Sequence, residues 1–169
     1  MSDHILIVDD SSDSRDLMIL MLSKALPDAA LLTAANGQDA LRLAANQRID
    51  LILMDAVMPV MSGFEACQHL KQIDETRHIP ILMISGVMTN SLQRASGLES
   101  GADGYLSKPF EREELIAQVK ALLRIKHYQD RQQAQEAQLE RELEKRTISL
   151  RLSLRRSLHF FFTAMTPSA

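Results

Sequence analysis

The sequence predicts an α/β fold: a doubly wound, five-stranded parallel sheet followed by a long C-terminal helix. Three observations predict it. Five short apolar runs are continuous rather than alternating, as expected of strands covered on both faces. Helix-like stretches separate them, so strand and helix alternate five times, the order of a (βα)5 parallel sheet. No Gly or Pro interrupts the chain between Phe110 and Met165, so the last helix has room to run on.

The elements follow in order. Ile5–Val8 is the first strand and Asp13–Leu26 the first helix. Leu31–Ala34 is the second strand, and Asn36-Gly37 can start the second helix, Gln38–Asn46. Leu51–Met54 is the third strand. Ser62 and Glu65 have the spacing of a capping box, which starts the third helix, Gly63–Gln72. Ile79–Ile84 is the fourth strand, Ser91–Ser100 the fourth helix with Gly101 as its stop, and Tyr105–Leu106 the fifth strand. The fifth helix begins at Glu111. These elements make a first domain of residues 1–126, with residues 127–169 as a helical extension.

Parallel sheets bind ligands beyond the carboxyl ends of their strands. The first strand ends in Asp9-Asp10, the third in Asp55, the fourth in Ser85-Gly86 and the fifth in Ser107-Lys108-Pro109. Three carboxylates, a hydroxyl and an ammonium therefore converge on one edge. Close carboxylates repel and raise one another's pKa unless a positive charge compensates. Mg²⁺ suits such a site, because it takes hard oxygen ligands and keeps positions open for water and phosphate. Lys108 adds a point charge for a phosphoryl oxygen, and Ser85 a donor beside it. A carboxylate so placed can attack phosphorus and form an aspartyl-phosphate. Asp55, on a central strand, is the best nucleophile candidate.

Composition bounds the alternatives. The net charge is −3, carried unevenly: about −5 over residues 1–126 and +2 over 127–169. No Lys/Arg block argues for nucleic acid. One cysteine, Cys67, excludes an internal disulfide and fits a reducing compartment. Apolar runs such as Leu17–Leu22 are far shorter than the ~20 residues of a membrane span, and the start lacks the basic, apolar order of a signal peptide. A cytoplasmic location is expected. Leu17–Leu22 is apolar all round, so part of it faces solvent or a partner.

At this point the chain resembles the receiver domains of two-component response regulators, over roughly Ser2–Lys126. The resemblance rests on LIVDDSSDSR, DLILMDAVMPVMSGFEA, IPILMISG and GADGYLSKPF. It implies a flavodoxin-like fold and phosphorylation of Asp55 from a phosphohistidine on a sensor histidine kinase or histidine phosphotransfer protein. It also implies Mg²⁺ held by Asp10, Asp55 and the main-chain carbonyl of Val57, with Asp9 acting through water. Ser85 and Lys108 are then the phosphoryl contacts, Tyr105 the switch aromatic, and Lys108-Pro109 a cis bond. Helix 1 is then the docking face of the phosphodonor. Such a protein catalyses only its own phosphorylation and dephosphorylation. Val57 and Val87 are apolar where water approaches in the family, so slow loss of the phosphoryl group is expected.

The extension reads less plainly. Leu139, Leu143, Leu150, Leu154 and Phe161 fall at three-, four- and seven-residue steps in places, a weak heptad compatible with a homodimeric coiled coil. From Thr147 to Phe162, Ile148, Leu150, Leu152 and Leu154 alternate with Ser and Arg, which is a strand period. About 43 residues are too few for a catalytic or winged DNA-binding output domain. Two further readings remain: a receiver-like binding module, or a coiled-coil scaffold, working without phosphorylation. A phosphatase acting on other molecules would need a cap domain and more acids.

Overall fold

The computed structural model describes residues 2–86 and 99–164, the side chains of 162–164 excepted. It divides into two compact units, residues 1–127 and 128–169. The first holds β1 (His4–Val8), α1 (Ser12–Ala25), β2 (Ala30–Ala34), α2 (Gly37–Asn46), β3 (Leu51–Asp55), α3 (Gly63–Gln72), β4 (Ile81–Gly86), β5 (Gly104–Lys108) and the start of the C-terminal helix, α4 (Arg112–Ala164). The strands form one parallel sheet in the order β2-β1-β3-β4-β5, the doubly wound, flavodoxin-like arrangement expected.

Successive strand side chains point to opposite faces, and both faces are buried here. Leu6, Val8, Ile52, Met54, Ile81 and Met83 pack with α2 and α3 through residues such as Ala40, Ala66 and Leu70. Ile5, Ile7, Leu51, Leu53, Leu82 and Ile84 pack with Met18 and Leu22 of α1 and with Leu115, Val119 and Leu122 of α4. This two-sided burial explains why the strands read as unbroken apolar runs.

Local chemistry sets the boundaries. Asn36 caps α2 by accepting from Asp39 N–H at 2.8 Å. Ser62 and Glu65 form the full capping box at α3. The α1 cap is Ser11, whose Oγ accepts from Ser14 N–H at 3.3 Å. Asp13 is an acid of the first turn, favourable beside the helix's positive end. β4 begins two residues later than Ile79: the Ile79 N–H is taken by Thr76 O at 3.0 Å, and Pro80 has no N–H to give. β5 extends beyond Tyr105–Leu106 because a sheet-edge strand tolerates the polar Ser107 and Lys108. Most of the expected fourth helix, Ser91–Ser100, and Val87 lie outside the described residues. After it, Gly101 takes φ +79°, the left-handed conformation that suits a helix stop. The Lys108-Pro109 bond is cis.

In the second unit the expected long C-terminal helix is present, and Thr147–Phe162, despite its strand period, is part of it. A strand needs a neighbouring ladder for its N–H and C=O groups, whereas a helix satisfies them internally. Leu and Arg, which dominate this stretch, are strong helix formers. Among the described residues, no helix is long and apolar enough to cross a membrane.

Candidate phosphoacceptor and metal site

The sheet register assembles the candidate site. Val8 pairs with Met54 and Asp55 with Ile84, while Ser85 pairs with Ser107 and Gly86 with Lys108. Asp9, Asp55, Ser85 and Lys108 thus sit at nearly one height on four adjacent strand ends. One carboxylate oxygen from each of Asp9, Asp10 and Asp55 lies within 4.8 Å of the others.

The three acids have different surroundings. Asp9 is 1% exposed. Its Oδ1 accepts from Ser11 N–H at 2.9 Å and its Oδ2 from Lys108 Nζ at 3.0 Å. Asp55 is 8% exposed; its Oδ1 accepts from Val57 N–H at 3.4 Å, and its Oδ2 lies 3.6 Å from Lys108 Nζ. Asp10 is exposed, and its carboxylate has no partner among the described residues. Burial pushes the Asp55 carboxyl above its ordinary range, and the charges of Asp9 and Asp10 add to this; Lys108 and the Val57 N–H oppose it. Burial pulls Lys108 down, but its bond to Asp9 and the charges of Asp55 and Asp9 outweigh this, and its net shift is upward.

The remaining expected residues are placed as follows. Ser85 is buried at the end of β4, where its Oγ donates to Gly86 O at 3.1 Å. Tyr105 is half-buried on β5, with its hydroxyl 3.4 Å from Ser100 Oγ. The Val57 side chain is exposed. Sequence reasoning missed Arg15, whose guanidinium donates to the Asp9 carbonyl at 2.7 Å and so ties α1 to the site. Its place one turn into the helix after Asp10 was the available signal.

Backbone packing fixes the loop after Asp55. A Cβ on Gly63 would fall 2.0 Å from the Asp55 carbonyl oxygen, so only glycine permits this approach. Val60, in the same loop, holds φ at +71°, an unfavourable conformation for a β-branched residue.

A cleft of about 230 Å³ between α1 and the residues after β5 is lined by Leu17, Met18, Met21, Lys108, Pro109 and Phe110. Of the apolar α1 run, Met18 and Leu22 are buried while Leu17 and Leu20 are exposed. The run therefore serves both the core and the surface.

Residues 5–120 match the response regulator receiver domain family. The chain belongs to that family. It is 39% identical over 137 residues to the response regulator PleD of Caulobacter vibrioides, covering 81% of this chain and 30% of PleD. It is similar to the chemotaxis response regulator CheY4 of Vibrio cholerae: 34% identity, TM-score 0.66, covering 72% of this chain and 99% of CheY4. It is also similar to the receiver domain of the sensor histidine kinase PA1611 from Pseudomonas aeruginosa, solved with a magnesium ion coordinated in its active-site cleft: 29% identity, TM-score 0.67, covering 73% of this chain and 98% of that one. The matched stretch makes up between 30% and 56% of the curated relatives, several of which are transcriptional regulators.

Proposed function

We propose that this receiver accepts a phosphoryl group on Asp55 from a phosphohistidine donor in a Mg²⁺-dependent reaction, and that loading switches self-association or partner docking. One observation carries the reading: three carboxylates lie within 4.8 Å of one another, with the Lys108 ammonium 3.6 Å from Asp55. An Asp55 oxygen bonds to phosphorus as the donor's P–N bond breaks, and the imidazole leaves with the electron pair. Lys108 neutralises a phosphoryl oxygen and Ser85 donates to another. The geometry needs no external base, because the attacking group is already a carboxylate.

The donor set fits Mg²⁺. All the side-chain ligands are hard oxygens, and exposed, unpartnered Asp10 leaves one side open to water and phosphate. Asp10, Asp55 and the Val57 carbonyl would hold the ion, with Asp9 acting through water. When bound, Mg²⁺ offsets carboxylate repulsion and stabilises charge on the transferring group. The magnesium ion in the active-site cleft of the PA1611 receiver supports a magnesium site here.

The exposed side of α1, with the cleft beside Lys108, offers an apolar surface next to the acceptor on which a histidine kinase or phosphotransfer protein can dock. Catalysis is confined to the protein's own phosphorylation and dephosphorylation. The protein is incubated with phosphoramidate and Mg²⁺ and weighed by intact mass spectrometry. Gain of one phosphoryl group, lost in Asp55→Asn and without Mg²⁺, is expected. No gain with any small donor would replace this reading with that of a phosphorylation-independent binding module.

A further inference from the structure

The second unit carries a largely apolar stripe on a helix, interrupted by Thr147 and Ser157. At about 100° per residue, Leu143, Thr147, Leu150, Leu154 and Phe161 fall on one face. Their 4-3-4-7 steps are the d and a positions of a heptad. Each of these leucines and Phe161 is more than half exposed. Such a stripe on a single helix gains burial only against a partner.

The charges choose the partner and its direction. Acids are confined to the early part of the stripe: Glu136, Glu140, Glu142 and Glu144. No acid follows Glu144, while Arg151, Arg155 and Arg156 do. Neither Glu144 nor Arg151 has an ion-pair partner within the described protomer. Arg141, Lys145 and Arg146 offset most of the early acids, but beside the seam Glu144 and Arg151 complement one another only when two copies are reversed.

We propose that residues 136–161 pair antiparallel with the same segment of a second copy of this chain. Leu143 then packs in one layer with Leu154 of the partner subunit, and Thr147 with the partner's Leu150. Flanking the core, Glu144 meets the partner's Arg151, and Leu139 meets the partner's Phe160. Each contact occurs twice by two-fold symmetry.

A parallel pair keeps the leucine layers but makes worse contacts beside them. It sets Arg146 against the partner's Arg151 and Leu139 against the partner's Glu144. It also stacks Glu136 and Glu140 on their own copies in the core. Like charges across such a seam are the usual means of rejecting an arrangement. This inference concerns the extension alone and does not depend on phosphotransfer at Asp55.

The full chain is tested by sedimentation at increasing concentration. Wild type dimerises. Arg151→Glu places glutamates opposite one another and weakens the dimer by roughly tenfold, and Glu144→Arg with Arg151→Glu restores it. In a parallel dimer, Arg151→Glu would face Arg146 and tighten association, so tighter association overturns the proposal. Direction is read independently by disulfide formation in a Cys67→Ala background. A mixture of Leu143→Cys and Leu154→Cys chains gives the mixed cross-link, whereas either chain cross-linking with itself means parallel pairing and overturns it. These positions are exposed, and circular dichroism checks that helix content is retained. A wild-type chain monomeric at every concentration also overturns the proposal; if it then binds anionic vesicles, the stripe belongs to a lipid surface.

Discussion

The Lys108 ammonium donates its 3.0 Å hydrogen bond to Asp9, while Asp55 stands farther off at 3.6 Å. The Lys108 charge is thus committed first to the most buried of the three acids, and the proposed nucleophile keeps a looser hold on it. Removing the cation strands a buried charge. Lys108→Ala in chelator therefore lowers unfolding free energy by about 2 kcal/mol, measured by urea titration. Adding Asp9→Asn to that variant recovers part of the loss, because the more buried of the two stranded charges is then gone. A Lys108→Ala protein as stable as wild type would contradict this pairing.

The Asp10 charge adds repulsion at Asp55, and its carboxylate has no hydrogen-bond or ion-pair partner among the described residues. In chelator, Asp10→Asn is expected to melt above wild type. With Mg²⁺ at ten times its dissociation constant, wild type gains about 1.4 kcal/mol, and Asp10→Asn gains little. Thermal melts of both proteins across a Mg²⁺ series measure the crossing of the two curves.

Val60 lies in the left-handed region and is largely exposed, so its side chain gains little burial to offset the backbone cost. That cost is about 1–2 kcal/mol for a residue bearing a Cβ. Glycine relieves it but loses about 0.5–1 kcal/mol to chain entropy. Val60→Gly is therefore expected to stabilise by up to about 1 kcal/mol in urea unfolding.

Cys67 is fully buried, and its Sγ–H donates to Ser100 O at 3.2 Å. Burial pushes the thiol above its ordinary 9.0, outweighing that bond and the charge of Lys71. The folded state thus keeps a proton that the unfolded state releases. This contribution is complete below pH 9.0 and is lost as pH rises through the folded value. Cys67→Ala lacks that part of the alkaline decline. Iodoacetamide should label the native thiol at least about a hundredfold more slowly than in urea, as followed by mass spectrometry.

The central strands and the acids at their ends were legible because two-sided burial writes itself as unbroken apolar residues, and because parallel topology puts all carboxyl ends on one edge. Ser62 and Glu65 were legible because a capping box is local. What escaped was decided by neighbours. The α1 cap is Ser11, one of several small polar residues in a row, so spacing alone does not single it out. Ile148 to Leu154 alternated like a strand but had no ladder to join. Lys71 donates to Asp103 at 2.7 Å and to Ile79 O at 2.8 Å, tying α3 to the entries of β4 and β5. Nothing in the spacing of residues 32 positions apart announces that clamp.

The contact between Gly63 and the Asp55 carbonyl bears on how a loaded site can respond. There, the first turn of α3 sits directly on the main chain of the acceptor, with Gly63 N–H also donating to Ala56 O at 3.0 Å. The acceptor's main chain is thus braced by α3 on that flank whatever its carboxylate carries. One missing methyl group is what lets the helix stand so close to the acceptor.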